Sequence, residues 1–322
     1  MTDETNQQVR PLLAWLNGRF VDVTEAKVSA FDMGFQHAVG LFETMRAAHG
    51  QVFRPEAHMA RLAESAKELM LTDTLRPGPL VEAIQETVAR NGLLEARIRL
   101  TLSGGAMIRR PDETQDLDPT ILIHAQPRTV YPDALYEKGI RVVVANDRLN
   151  PFDSHAGHKT LSYWSRLSAL QSAGTHGAAE ALWFTVSNHL GCGSTSNVFV
   201  VRGDTVLTPP ARGEEEAGAL RSPVLPGVTR SALFEVAREN GLTIERRLLD
   251  INDVLTADEV MLSNSGWGLL PVVGIERETI TGGEPGPVFT ALRGGFEALL
   301  DRETRFDLGP DLGSDAAPDT EA

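Results

Sequence analysis

Lysine is scarce in this chain, and one lysine stands apart from the others. The 322 residues contain only Lys27, Lys67, Lys138 and Lys159. Three of these have polar neighbours of the kind found at a surface. Lys159 follows a loop rich in Pro, Gly and His and precedes an amphipathic run that predicts a helix from about Ser162 to Ala173. A lysine amine that is partly buried loses its proton and can attack a carbonyl carbon. The plainer alternative is a solvated lysine at a helix start. A second stretch with chemical promise is Leu225-Pro226-Gly227-Val228-Thr229-Arg230, which opens the helical run Ser231 to Asn240. Backbone N–H groups left free at a helix start can receive a phosphate. An ordinary loop leading into a helix is the plainer alternative here.

These two places need elements to bring them together. Leu12–Leu16 and Arg19–Val21 read as strands joined by an Asn17-Gly18 type I′ turn. Glu56 to Met70 has helical spacing, with His58 and Arg61 on one face. Leu80 to Arg90 is a second helix, closed by Asn91-Gly92. Ala96 to Leu102 alternates as a strand, with Arg97, Arg99 and Thr101 on one side. Thr120 to His124 is another strand. The second half begins with a strand at Gly139 to Ala145. Glu180 to Val186 reads as a buried strand, and Asn197–Val201 with Thr205–Leu207 as a hairpin. Strands follow at Thr243–Leu248, Glu259–Ser263 and Leu269–Val273, then a terminal helix at Val288–Leu300. The Glu-rich stretch Ala211 to Ser222 reads as a solvated excursion.

Taken in order, these motifs resemble the class IV aminotransferases. These are the fold-type IV pyridoxal-phosphate enzymes, which include branched-chain and D-amino-acid aminotransferases and aminodeoxychorismate lyase. The likeness rests on Asp32-Met33-Gly34, Gly40-Leu41-Phe42-Glu43-Thr44-Met45-Arg46, His58-Met59-Ala60-Arg61-Leu62, Lys159 with Tyr163, and the hairpin followed by Thr208-Pro209-Pro210 and Leu225 to Arg230. It extends over roughly residues 12 to 275. The resemblance implies an α+β fold of two domains with pyridoxal 5′-phosphate between them, usually in a homodimer. It implies Lys159 as the Schiff-base lysine, Arg61 as a grip on the cofactor phosphate, and Val228, Thr229 and Ser265 as further phosphate ligands. Tyr163 would hydrogen-bond near the ring, on the same side as Lys159 if both lie on one helix; a buried core tyrosine is the alternative.

The chain departs from the family pattern twice. The family places a Glu five residues before the Asn of the hairpin strand, where it pairs with the protonated pyridine nitrogen. Counting back from Asn197 gives Cys192, and no Glu occurs between Ala181 and Val201. A carboxylate keeps the ring cationic and able to absorb electrons, whereas a neutral thiol does not. Without a cationic neighbour a thiolate is not expected. Chemistry should therefore be weakened or redirected, with cofactor binding kept. The second departure is Gly104-Gly105, where lyase and D-amino-acid members often carry Arg-Gly. Arg99, Arg109 or Arg110 could substitute as the substrate carboxylate ligand.

The resemblance and these departures lead to transamination of an α-amino acid, branched-chain or otherwise apolar, with a 2-oxo acid acceptor. Elimination to 4-aminobenzoate and pyruvate is the alternative, as is a PLP-binding relative with little turnover. Apolar content of 42% with 23% charged residues fits a soluble globular protein. A net charge of −14 argues against a nucleic-acid partner. No apolar run reaches the ~18 residues of a membrane span, and no metal site is expected. A single cysteine and the absence of a signal-peptide pattern point to the cytoplasm. The expected division is a loose N-terminus at 1–10, a domain at 11–126, a linker at 127–138, a domain carrying the lysine at 139–305, and an acidic disordered tail at 306–322.

Overall fold

The computed structural model describes residues 12–106 and 119–305. In chain order the strands are β1 (Leu13–Leu16), β2 (Arg19–Asp22), β3 (Gly40–Ala48), β4 (Gln51–Val52), β5 (Ala96–Ser103), β6 (Thr120–Pro127), β7 (Ile140–Leu149), β8 (Glu180–Thr185), β9 (Leu190–Gly193), β10 (Asn197–Arg202), β11 (Thr205–Thr208), β12 (Thr243–Arg246), β13 (Glu259–Asn264), β14 (Gly268–Ile275) and β15 (Glu278–Thr279). The helices are α1 (Met33–His37), α2 (Pro55–Glu68), α3 (Pro77–Arg90), α4 (Ala134–Glu137), α5 (Trp164–Thr175), α6 (Val228–Glu239), α7 (Ile251–Leu255) and α8 (Pro287–Thr304). This is the α+β architecture expected from the sequence.

Two sheets divide the strands. The first has the order β2-β1-β6-β5-β3-β4 and is antiparallel throughout. The alternation in β5 puts Ile98, Leu100 and Leu102 into a core against α2 and α3 and leaves Arg97 and Arg99 on the opposite face. Asn17 and Gly18 both have positive φ, as a type I′ turn requires. The second sheet runs β12-β11-β10-β13-β14-β7-β8-β9, with β15 on β14. Its central strands β8, β13 and β14 are buried along nearly their whole length. That pattern reports cover on both faces, and it explains why these strands read as continuous apolar runs rather than alternations. Helices α6 and α8 cover one face through Leu233, Val236, Phe289 and Phe296.

The structure adds three details that the sequence did not supply. The 211–222 stretch is a solvated excursion only in part: residues 216–221 are exposed, whereas its base is docked. Ala211 is fully buried, and Glu214 forms a two-pronged ion pair with Arg230 at 2.8 Å on each oxygen. Arg230 is 1% exposed, so its charge needs a carboxylate brought to it. Arg212 reaches back to Glu68 and the Ala156 carbonyl, docking the loop at a second point. The stretch between the two sheets is not all linker: β6 extends to Pro127, and α4 forms inside it. Finally, Leu190–Gly193 is a strand, paired with β8 at Leu182↔Gly193 and Trp183↔Cys192. Its two glycines hid it in the sequence. The residues expected as a loose N-terminus at 1–10 and an acidic tail at 306–322 lie outside the described residues, as do Arg109 and Arg110.

Candidate active site

A cavity of about 590 Å³ opens between the two sheets. It brings together Arg61, Arg99, Lys159, Tyr163, Cys192, Val228, Thr229 and Ser265, eight residues singled out in the sequence. It also gathers Thr44, Arg97, Arg166 and Asn197, to which the sequence reading gave no task at this place.

Lys159 reaches the cavity from an unforeseen support. The segment around it is extended, and α5 begins only at Trp164. Phe42 N donates to the Lys159 carbonyl (2.9 Å), Leu161 N donates to the Gly40 carbonyl (2.9 Å), and Thr160 bridges Leu41. The lysine is thus stitched to the free edge of β3, and Lys159 and Tyr163 do not share a helix face. Gly40 is required there, because a Cβ would strike the Leu102 carbonyl. The amine lies 4.5 Å from the centre of the Phe42 ring. Residue 159 is partly exposed through the cavity it faces. Removal of its amine from bulk water lowers its pKa to about 7, against the pull of Glu43 and assisted by Arg61, Arg166 and Arg99. A neutral, nucleophilic amine is therefore accessible near neutral pH.

Arg61 is built into a buried network. Its Nε donates to Glu43 Oε1 (2.8 Å), its Nη2 to Glu43 Oε2 (2.5 Å) and its Nη1 to the Pro226 carbonyl (2.8 Å). His58 Nδ1 meets Glu43 Oε2 at 2.8 Å. Glu43 is 1% exposed. Burial alone would raise its pKa, but Arg61 and His58 outweigh burial and hold it at about 2. Burial lowers the pKa of His58, so the ring favours its neutral form. The sequence contained Glu43 inside a quoted motif; what it lacked was the knowledge that β3 turns Glu43 towards α2.

Pro226, the acceptor of Arg61, leads directly into α6. Gly227 is the N-cap, with no side-chain cap, so Val228 and Thr229 begin the helix. A Cβ at Gly227 would collide with Asn197 Oδ1, whose amide nitrogen donates to the Leu225 carbonyl (2.8 Å). Asn197 thus fixes the turn that presents the helix start to the cavity. Ser265 lies in a turn held by Asn264 Oδ1, which accepts from Gly266 N (2.8 Å) and Trp267 N (3.0 Å). Helix dipole, backbone N–H groups, the Thr229 and Ser265 hydroxyls and the Arg61 charge form a donor set suited to a phosphate dianion.

The far end of the cavity has a different character. Tyr163 packs edge-on against Phe42, with centroids 5.3 Å apart, and donates to the Ser194 carbonyl (3.0 Å). Burial pushes its pKa up to about 12, keeping the proton on the phenol. Cys192 has a cationic neighbour that sequence reasoning did not provide: Arg166 Nη1 lies 3.6 Å from its Sγ and donates to the carbonyls of Gly193 and Ser194, both at 3.1 Å. Burial would lower the Arg166 pKa, but the surroundings, Cys192 and Tyr163 first among them, leave it raised. Glu180 is near but engaged elsewhere. Its carboxylate accepts from the N–H groups of Ala181, Ser194 and Thr195 and from the hydroxyls of Thr195 and Ser196. The signal for it was a Glu opening an apolar strand, a type seldom fully buried without partners.

Arg99 stacks on Phe42 at 3.9 Å and touches Thr101 Oγ1 at 3.3 Å through Nε. Among the described residues neither Arg97 nor Arg99 forms an ion pair with a carboxylate. No cluster of His, Cys, Asp or Glu among them could hold a metal ion, and no helix among them is long and apolar enough to cross a membrane.

Comparison with known proteins agrees with this geometry. Residues 40–275 match the family described as Amino-transferase class IV. The chain is 28% identical to the branched-chain-amino-acid aminotransferase of Escherichia coli (strain K12), covering 92% of this chain and 95% of that one. It resembles the crystal structure of a T.th. branched-chain amino acid aminotransferase with pyridoxamine 5′-phosphate, with a TM-score of 0.81, 26% identity and coverage of 92% and 96%. It also resembles the 4-amino-4-deoxychorismate lyase of Pseudomonas aeruginosa, with a TM-score of 0.75, 26% identity and coverage of 90% and 100%.

Proposed function

Because the chain belongs to the class IV aminotransferases, we propose that it moves the amino group of an apolar α-amino acid, a branched-chain one foremost, onto a 2-oxo acid. Class IV aminotransferases use pyridoxal 5′-phosphate. The observation that carries the reading for this chain is the Lys159 amine, with its pKa near 7, facing a cavity that also receives the start of α6. When bound, the cofactor supplies an aldehyde that can link to an amine and a ring that draws electrons from the bond to be broken.

The tasks of the residues follow. Val228 N, Thr229 N with its hydroxyl, and Ser265 Oγ hold the phosphate, and Arg61 supplies positive charge beside it. Glu43 holds Arg61 in place and leaves its Nη1 directed at the turn before the helix. Lys159 Nζ binds the cofactor. Once substrate has released it, Nζ would take the proton from the substrate Cα as a base and, as an acid, deliver it to the former aldehyde carbon of the cofactor. Arg99, and Arg97 two residues before it, offer guanidinium groups to a substrate carboxylate. Phe42, Leu161, Leu167 and Trp267 supply apolar wall, which suits an apolar side chain. The branched-chain relatives support the same substrate class. A homodimer, common to the family, is part of this reading.

Borohydride reduction of the holoenzyme followed by peptide mass spectrometry tests it, with the cofactor expected on Lys159. An adduct elsewhere, or none, would sink the reading. A second reading, elimination to 4-aminobenzoate and pyruvate, is favoured by the similarity to the Pseudomonas lyase. Assaying those products beside glutamate formation from 2-oxoglutarate separates the two.

A further inference from the structure

We propose that Arg166, seated beside Cys192, faces the ring nitrogen of the bound cofactor and keeps that nitrogen without a proton. The inference rests on Lys159 holding pyridoxal phosphate in this cavity. In that molecule the aldehyde carbon and the ring nitrogen lie at opposite ends of the ring. Lys159 takes the aldehyde end from the edge of β3, and the start of α6 takes the phosphate arm. The nitrogen is left to the wall formed by β9 and the first turns of α5. On that wall Cys192 occupies the position to which the family resemblance assigns a carboxylate.

A census of charges there decides the proton. The cation is Arg166, whose guanidinium stays charged across the whole working range of pH. Its Nη1 is engaged by Cys192, Gly193 and Ser194, whereas Nε and Nη2 have no hydrogen-bond partner among the described residues. Tyr163 keeps its proton and spends it on the Ser194 carbonyl. Glu180 is the nearby carboxylate, and five protein donors occupy it. It lines no part of the cavity, and its work is to hold the Ser194–Ser196 turn. A protonated ring nitrogen would therefore set one N–H donor against another, and one positive charge against another, with no free carboxylate nearby and the Cys192 sulfur already engaged by Arg166. A neutral nitrogen accepts an N–H from the guanidinium instead. A neutral ring is a weaker electron sink, so proton removal at Cα depends more heavily on Lys159.

The test is nitrogen NMR of the holoenzyme loaded with cofactor carrying ¹⁵N in the ring, read at pH 7.5. The wild-type resonance is expected at the position of a neutral pyridine. The double variant Cys192→Glu/Arg166→Leu, which supplies an anion and removes the cation, is expected to shift it to the pyridinium position. Arg166→Lys alone keeps a cation and is expected to leave it neutral. A pyridinium signal in the wild type overturns the proposal, whether or not the variants fold. A neutral signal that persists in a folded double variant also overturns it, since Arg166 and Cys192 would then not control the proton. Absence of any Lys159-linked cofactor is a separate result, and it sinks the proposed function instead.

Discussion

Two arginines border the same cavity in opposite circumstances. Arg61, on α2, meets a buried carboxylate with two of its nitrogens and a carbonyl with the third. Arg166, on α5, meets a thiol and two carbonyls through a single nitrogen. The first guanidinium is held in a set place before any ligand arrives, beside the turn that leads into α6. The second is left for whatever lies beside it. Residue type alone therefore says little about what an arginine does in a pocket; the partner supplied by the neighbouring strand decides it. Glu43 comes to Arg61 from β3, whereas Glu180 is withheld from Arg166 by the turn after β9.

This contrast can be broken by removing partners. Glu43→Gln is expected to have the largest effect, about 3–5 kcal/mol of lost stability in denaturant unfolding, because it strands Arg61 in a buried site. The acid dependence follows from the same pair. Glu43 has a folded pKa of about 2, below its ordinary value of 4.5. Its stabilising contribution is thus present above about pH 4.5 and lost as pH falls towards 2. The variant should show a shallower loss over that window, and an unchanged slope would show that Glu43 is not held charged.

Next in size is the titration of Lys159. Its amine has a pKa near 7, so capture of an aldehyde probe by the apo-protein should fall about tenfold per pH unit below that value. Roughly a hundredfold loss is expected at pH 5, read by mass spectrometry at Lys159, and a midpoint near 10 would refute the assignment. Gly227→Ala should weaken cofactor binding by about tenfold or more, as the Cβ forces Asn197 from the turn; unaltered binding would show that the turn yields without cost. Arg166→Met should cost least, about 1 kcal/mol, because the groups it abandons are uncharged. If its cost matched that of Glu43→Gln, the two arginines would not differ as described.

Much of the fold could be read from the chain because periodicity reports burial. The alternation of Ala96–Leu102 and the helical spacing of Glu56–Met70 emerge nearly as expected. What was illegible depended on partners distant in sequence. Leu190–Gly193 becomes a strand by pairing with β8, against the weak preference of its glycines. The docked base of the 211–222 stretch went unforeseen because nothing local announces that Arg230 will be buried. In the site, residue type and spacing drew attention to Lys159 and the Pro-Gly turn, and the family resemblance to Arg61; all three places border one cavity. Glu180 and Arg166 escaped, since the contacts that give them meaning cross between strands and helices 14 to 28 positions apart.

The attachment of residues 159–161 to β3 has a mechanical consequence. The amine travels with the first sheet, while the start of α6 travels with the second. The span between the two is set by the Arg61–Pro226 bond and, farther off, where the sheets meet. There Phe53 lies against Phe296 at 5.8 Å, and Arg54 clamps Glu235 and Glu303. Loosening that remote clamp would alter the reach of the lysine without touching a single lining residue, as a worn hinge pin misaligns a latch.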